Sequence, residues 1–374
     1  MSFRGELFGS SPTLDFANGT SALVPLCCGQ AFQVVLSLLF SPSSSFPDLI
    51  EPVTTDFRVK TLIAPDKRQL RVGFRDLPDG QEPRSICLLL QGLTEYLEKY
   101  DETADELVAR GFLVVSIDWR SQGASERHRS GNRAGHVRSF DEYDSDMAAA
   151  VIQVEAMQKE RAERGLAPLP VIVLAHSMGA HILLRFLHEH PRRFAGAVMT
   201  APMLGIQTQN YSPEYTRWVT FLLNLRQPSS RLIFTVEDRD PLKVPFEENV
   251  VTSDRERYER NRAYLKAQPF LRIFGPTFGW LGAAFQSMDR MARSGFAEAI
   301  STPLLMISAG RDRLVINQAT RDFVKRLPNA TYVEIEDAEH EILMEKDEIR
   351  ARFWSEFDAF VNARLSDPAR AFGR

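Results

Sequence analysis

The sequence predicts an α/β fold, a mostly parallel central sheet with helices on both faces. Three observations predict it. Apolar runs of strand length alternate with amphipathic helical stretches along most of the chain. One run, at 171–176, ends in a small-x-Ser-x-Gly turn around Ser177 and passes at once into a helix-compatible stretch at 180–190. The alternation breaks at about 202 and resumes at about 303, so a separate unit interrupts the sheet-forming chain.

Each element follows from its local pattern. Residues 57–64 and 70–76 alternate polar and apolar side chains across a turn at 65–68, as paired strands do. A continuous apolar run at 85–90 predicts a buried strand. Helical spacing then holds from about 96 to 109 and stops at Gly111. Residues 112–117 form the next buried strand, and about 140–164 a long amphipathic helix. Strands at 171–176 and 195–200 flank the helix that follows Ser177. After the break come a strand at 303–310, a helix at 317–327, a strand at 330–336 and a last helix at about 348–364.

The break at 202–300 is rich in Pro, Met, Arg and aromatic side chains. So long a span cannot be one structureless loop. It is expected to be a mainly helical cap over the catalytic edge of the sheet. Tyr211, Trp218, Phe221, Phe270, Phe274, Phe278, Trp280 and Phe285 are expected mostly to pack this cap onto the body, with some free to line an apolar groove. The charge-dense stretches 237–240 and 253–258 read as solvated surface, with head-group contact as the sharper alternative. The expected organisation is an extension at 1–50, a first part of the sheet-and-helix core at 51–201, the cap at 202–300, and the second part of the core at 301–374.

The net charge of −4 offers no electrostatic footprint for nucleic acid. No repeat, metal-type Cys/His spacing or phosphate-binding glycine loop occurs, so no metal or organic cofactor is expected. Cys27, Cys28 and Cys87 form no disulfide framework, which favours a reducing compartment. Residues 22–40 are largely apolar, but Pro25, Gly29, Gln30 and Gln33 interrupt them. Arg4 is the one basic residue before Asp56, so the charged flank of a signal or anchor is missing. The expectation is a poorly structured extension, with an apolar arm touching lipid as the alternative.

Ser177 carries the chemistry in this reading. A sharp turn between a strand and a helix presents a serine hydroxyl above the sheet, and small neighbours such as Ala175 and Gly179 let backbone pass closely. By itself the pentapeptide fits an ordinary turn with a serine N-cap equally well. A serine hydroxyl needs a base, and the base needs a group that fixes its tautomer. In this order of elements both follow the serine. His181, His188 and His190 lie in or at the end of the adjoining helix, where surface or capping roles are expected. His340 follows the strand at 330–336 and is the expected base. Asp312 follows the strand at 303–310, on the same sheet edge, and is the expected acid; Asp337 is the alternative. The oxyanion N–H groups are expected from Met178, after the serine, and from Leu93, after the turn at Gly92.

Several stretches, in order, resemble the lysophospholipase and monoacylglycerol lipase branch of the α/β-hydrolases, nearer its bacterial lysophospholipases. They are QGLTEYLEKY at 91–100, DWRSQGAS at 118–125, GHVRSF at 135–140 with Tyr143 and Asp146, AHSMG at 175–179, TSDRERY at 252–258, PTFGW at 276–280 and HEIL at 340–343. The resemblance spans about 51–363. It implies the α/β-hydrolase fold, a triad of Ser177, Asp312 and His340, oxyanion donors at Leu93 and Met178, and a structural or pocket-lining His136. Gln91 stands where the family often has His, Trp119 and Ser121 depart from its usual Asp-His-Arg-Gly, and Ala175 replaces the first glycine of the turn.

The reading is a serine hydrolase that cleaves carboxylic esters of single-chain lipids through an acyl-enzyme. Its expected partner is a small-molecule lipid ester, lysophospholipid or monoacylglycerol, with no nucleic acid. Transient contact with a membrane surface is expected, and a cytoplasmic location at the inner face of the membrane. An aminopeptidase, amidase or acyltransferase could use the same triad. An Asp-nucleophile hydrolase is disfavoured by the serine, and a non-catalytic binding protein by the complete triad.

Overall fold

The computed structural model describes residues 55–128, 133–208, 212–226, 230–233 and 240–366. The readings of the segment 1–50, with Cys27 and Cys28, of Tyr211 and of Glu237, Asp238 and Arg239 lie outside these residues.

Eight strands form one sheet: β1 (Arg58–Ile63), β2 (Gln69–Arg75), β3 (Ser85–Leu90), β4 (Phe112–Ile117), β5 (Val171–His176), β6 (Gly196–Thr200), β7 (Leu304–Ala309) and β8 (Ala330–Ile335). Their order is β1-β2-β4-β3-β5-β6-β7-β8. β2 runs antiparallel to β1 and β4, and every other pairing is parallel. Helices α1 (Asp101–Ala109), α2 (Asp141–Glu163), α3 (Met178–Glu189), α7 (Asn317–Val324) and α8 (Asp347–Leu365) connect or follow these strands.

The strand side chains alternate between two cores. Leu88, Leu90, Val115, Val173, Ala197 and Met306 face Tyr143, Met147 and Val151 of α2 and the buried side of α3. Cys87, Leu89, Val114, Leu174, Val198 and Ile307 face Leu107 of α1 and Phe353, Trp354 and Phe357 of α8. Period-two side chains on strands covered from both sides require apolar residues at every position. That is why these strands read as unbroken apolar runs. The stretch at 96–109 begins as a 3-10 turn, Leu97–Tyr100, before α1, and the helix expected at 317–327 ends at Val324.

The alternation along 70–76 does not give β2 an exposed face. All of β2 except Gln69 is buried. Its polar positions are taken in as ion pairs. Arg71 donates from Nη1 and Nη2 to Glu98 at 2.6 and 2.8 Å, and from Nε to Asp118 Oδ2 at 2.7 Å. Asp118 also accepts the N–H groups of Leu97 at 3.0 Å and Ala124 at 2.8 Å. Gly123, at φ +49°, lies so close that a Cβ there would sit 2.0 Å from Asp118 Oδ2. The guanidinium thus ties β2 to the turns after β3 and β4.

Between β6 and β7 the described residues form helices α4 (Pro213–Arg226), α5 (Arg255–Ala267) and α6 (Phe278–Ala292) with short 3-10 turns. Thr277 caps α6 by accepting the N–H of Trp280 at 3.1 Å, and Asp254 caps α5. Trp280, Ala284, Phe285 and Met288 of α6 join the core above α2 and α3. Trp218 and Phe221 of α4 are exposed.

The Arg71 pairs test the importance of this tie. Removing one partner of a buried ion pair leaves uncompensated charge and costs about 3–5 kcal/mol. Arg71→Met, which strands Glu98 and Asp118, is expected to lower the unfolding free energy by about that amount in urea titrations.

Candidate active site

The loops after β3, β5, β7 and β8 leave the same edge of the sheet, because these strands are parallel and in register. In such sheets ligands bind at the carboxyl ends of the strands. Ser177 follows β5 directly and has φ 49° and ψ −112°. Its N–H donates to the Thr200 carbonyl at 2.9 Å, and its carbonyl accepts from Met203 at 3.1 Å and His181 at 3.2 Å. Gly179 allows the turn to press on its neighbour. A Cβ there would lie 2.5 Å from the Gln91 carbonyl oxygen and 2.7 Å from that of Leu90.

The structure brings Ser177, His340 and Asp312 together. His340 Nε2 lies 3.0 Å from Ser177 Oγ, and Nδ1 lies 2.6 Å from Asp312 Oδ2. Oδ1 of Asp312 accepts the N–H groups of Leu314 at 2.8 Å and Val315 at 2.9 Å. Burial opposes its charge, but His340 and the two N–H groups hold its carboxyl below the usual value. A proton fixed on Nδ1 leaves Nε2 as the acceptor for the serine hydroxyl. Asp337 pairs instead with exposed Arg311.

Met178 follows the serine directly, and Leu93 lies on the loop after β3. Met178 begins α3, so its N–H has no intrahelical partner. The Leu93 N–H meets no protein acceptor among the described residues. Gln122 braces this loop: its Nε2 donates to the Gly92 carbonyl at 3.0 Å, and its Oε1 accepts from Thr94 at 3.0 Å. Trp119 Nε1 donates to the Gln91 carbonyl at 2.8 Å. His136 is buried, with Nδ1 2.7 Å from Thr277 Oγ1.

His181 is not on the surface. It is fully buried, with Nδ1 donating to the Met203 carbonyl at 2.7 Å and Nε2 2.7 Å from Ser287 Oγ. The helix α6 covers α3, and a histidine there must be neutral and doubly hydrogen-bonded. His188 stacks on Phe296, and His190 is the C-cap of α3.

Residues that sequence reasoning missed surround the site. His176 packs edge-on against His340 at 4.9 Å between ring centroids, with its Nδ1 3.0 Å from Thr200 Oγ1. Glu95, Lys99 and Glu341 form a charged cluster beside it. The i, i+4 spacing of Glu95 and Lys99 was the signal available in the sequence.

A carboxylate, an imidazole and a hydroxyl in series can activate the hydroxyl as a nucleophile. With the parallel sheet, this defines a serine hydrolase on the α/β-hydrolase fold. The family model described as serine aminopeptidase, S33, matches residues 81–347. The chain is 31% identical over 279 residues to lysophospholipase L2 of Escherichia coli strain K12, covering 73% of this chain and 78% of that protein. It is 27% identical over 246 residues to the monoacylglycerol lipase of Mycolicibacterium smegmatis, covering 66% and 76%. A solved soluble variant of monoglyceride lipase from Saccharomyces cerevisiae shares the fold, with TM-score 0.64 and 18% identity over 84% of this chain and 98% of that one. The protein belongs to the serine aminopeptidase S33 family of α/β-hydrolases, in its lysophospholipase and monoacylglycerol lipase branch. It is a carboxylic-ester hydrolase.

Burial holds His176 at a pKa of about 4 and His181 at about 3, against an ordinary 6.5. Groups with a depressed pKa bind fewer protons folded than unfolded below the ordinary value. Their contribution to stability is full above pH 6.5 and is lost as pH falls toward those values. Asp146, raised to about 6 by burial, acts in the opposite sense, so a comparison of variants is required. The stability difference between wild type and His181→Gln is expected to shrink as pH falls from about 7 to about 4.5. Urea midpoints across that range measure it, and a constant difference would contradict a neutral buried His181.

Proposed function

We propose that the protein hydrolyses the acyl ester of lysophospholipids, with Ser177 as nucleophile, His340 as base and Asp312 as its orienting acid. The hydrogen-bonded series from Asp312 Oδ2 through His340 to Ser177 Oγ carries this reading. Ser177 Oγ attacks the ester carbonyl carbon while His340 Nε2 takes its proton. The carbonyl π electrons move to oxygen, and the N–H groups of Leu93 and Met178 face that charge. The tetrahedral intermediate collapses, the ester C–O bond breaks, and the imidazolium protonates the departing glycerol oxygen. His340 then takes a proton from a water that attacks the acyl carbonyl. The bond between Ser177 Oγ and the acyl carbon breaks, and the imidazolium returns the proton to Ser177 Oγ as the fatty acid is released. The triad needs no metal or organic cofactor for these steps.

Lysophospholipid is placed first because the similarity to lysophospholipase L2 is greater and spans more of both chains. Monoacylglycerol is the second substrate, supported by the similarity to the mycobacterial lipase. An aminopeptidase would want acidic side chains facing a substrate amine. Asp240, the described member of the 237–240 cluster, is engaged with Arg272 at 3.5 Å and with the Leu242 N–H at 3.0 Å. Fatty-acid release from lysophosphatidylcholine, monoacylglycerol and a short-chain ester, beside an amino-acid anilide, tests the reading. Ser177→Ala is expected to lower ester turnover by about 10⁴-fold or more. Preference of the wild type for the anilide would sink the lipid assignment.

Such substrates reside in membranes. No described helix is long and apolar enough to cross one. Transient contact with a lipid surface at the cytoplasmic face completes the reading. Tyr215, Trp218, Phe221 and Leu225 support it, since they lie exposed on one side of α4. Aromatic side chains of this kind favour the membrane–water interface. Trp218→Ser with Phe221→Ser is expected to lower the fraction sedimenting with phosphatidylglycerol–phosphatidylethanolamine vesicles severalfold. An unchanged fraction would remove α4 from the contact.

A further inference from the structure

Beneath the site lies a buried cluster of charge that the hydrolytic steps leave unused. Glu95, Lys99 and Tyr100 are buried, Glu95 to 3% and Lys99 to 8% exposure. Glu95 Oε1 accepts from Lys99 Nζ at 2.8 Å. Its Oε2 accepts from the Tyr100 hydroxyl at 2.6 Å and from the Gly92 N–H. Lys99 Nζ also meets Glu341 Oε1 at 2.6 Å.

The cluster therefore touches two loops of the site. Gly92 adjoins Leu93, whose N–H faces the developing oxyanion. Glu341 adjoins His340, and its N–H is anchored on the Val251 carbonyl at 2.8 Å. The fit at Gly92 is close. A Cβ there would lie 2.8 Å from Glu95 Oε2 and 3.0 Å from the His176 ring. A loop that carries one donor must be held to a fraction of an ångström for that donor to act on the transition state.

We propose that Glu95 is a positioning residue that aims the Leu93 N–H at the oxyanion, and that Lys99 couples this loop to the His340 loop through Glu341. The inference rests on Ser177 and Leu93 acting as proposed above. Burial alone would raise the Glu95 carboxyl, but Lys99 foremost, then His176 and Tyr100, holds it at about 2. It is an anion at neutral pH and a strong acceptor for the Gly92 N–H. Glu341 is raised by its burial, with Lys99 opposing and Glu95 adding to the rise. The Glu95 carboxylate and the Lys99 ammonium thus pair within the cluster, and the contact of Lys99 with Glu341 extends it to the His340 loop.

Glu95→Gln keeps the volume and an acceptor oxygen but loses the charge, and Lys99 keeps Glu341. Tyr100→Phe is the milder second variant, removing one hydrogen bond to the same oxygen. The substrate is a short-chain p-nitrophenyl ester, so the outcome does not depend on the lipid chosen. An alkylboronic acid, which forms a tetrahedral adduct on an active serine, probes the oxyanion contacts directly. Glu95→Gln is expected to lower kcat about 10- to 100-fold with KM nearly unchanged. Boronate affinity should fall in parallel with kcat/KM, and Tyr100→Phe should move both in the same direction by less. Retained thermal unfolding in Tyr100→Phe excludes a folding defect as the cause. Boronate affinity equal to wild type in both variants would overturn the positioning role while leaving the Ser177 reading intact. A wild type that ignores the boronate would overturn both.

Discussion

The backbone of Ser177, at φ 49° and ψ −112°, is the constraint on which the site depends. A non-glycine residue in such a conformation costs roughly 1–3 kcal/mol and persists only where its surroundings determine it. The surroundings here are specific. Thr200 takes the serine N–H, Met203 donates to its carbonyl, and Gly179 lets the first turn of α3 rest on the backbone of Leu90 and Gln91. Strain at Ser177 and contact with the loop after β3 are thus one packing event. Ala175 in place of glycine before the serine is buried without disturbing it.

Charge is handled in the same way around that turn. Each buried ion has partners on another element: Arg71 with Glu98 and Asp118, Arg120 with Asp146, Arg185 with Asp144, Lys99 with Glu95 and Glu341. Buried pairs of this kind contribute little net stability against an apolar alternative. Their effect is to fix which loop lies against which. The loops after β3, β4 and β8, which hold Leu93, Gln122 and His340, are all tied by such pairs.

Much of the fold was legible because its signals are local. The strands at 85–90, 112–117 and 171–176 need apolar residues at every position, and the sequence provides them. The order Ser177, Asp312, His340 was legible because the fold places each on a loop after a strand. The 70–76 stretch is the strand its alternation predicts, with buried arginines at its polar positions rather than solvent-facing side chains. His181 misled: a helix position adjoining the serine looks exposed until α6 is laid across it. Glu95, Lys99 and Glu341 were not seen as a cluster, because Glu341 lies far from the other two in the chain and only the sheet brings them together.

By itself, the sequence determined the class of fold, the serine, aspartate and histidine that the fold brings together, and membership in a family of ester hydrolases. These rest on periodicity and on short motifs, where each residue reports its own strand, turn or helix. Tertiary structure alone decided which polar residues are buried, which carboxylate faces the imidazole, and how the oxyanion loop is held. Those outcomes depend on contacts between residues distant in the chain. The free energy of burying a charge or a histidine is set by the partners that folding supplies, and nothing in the local sequence encodes it.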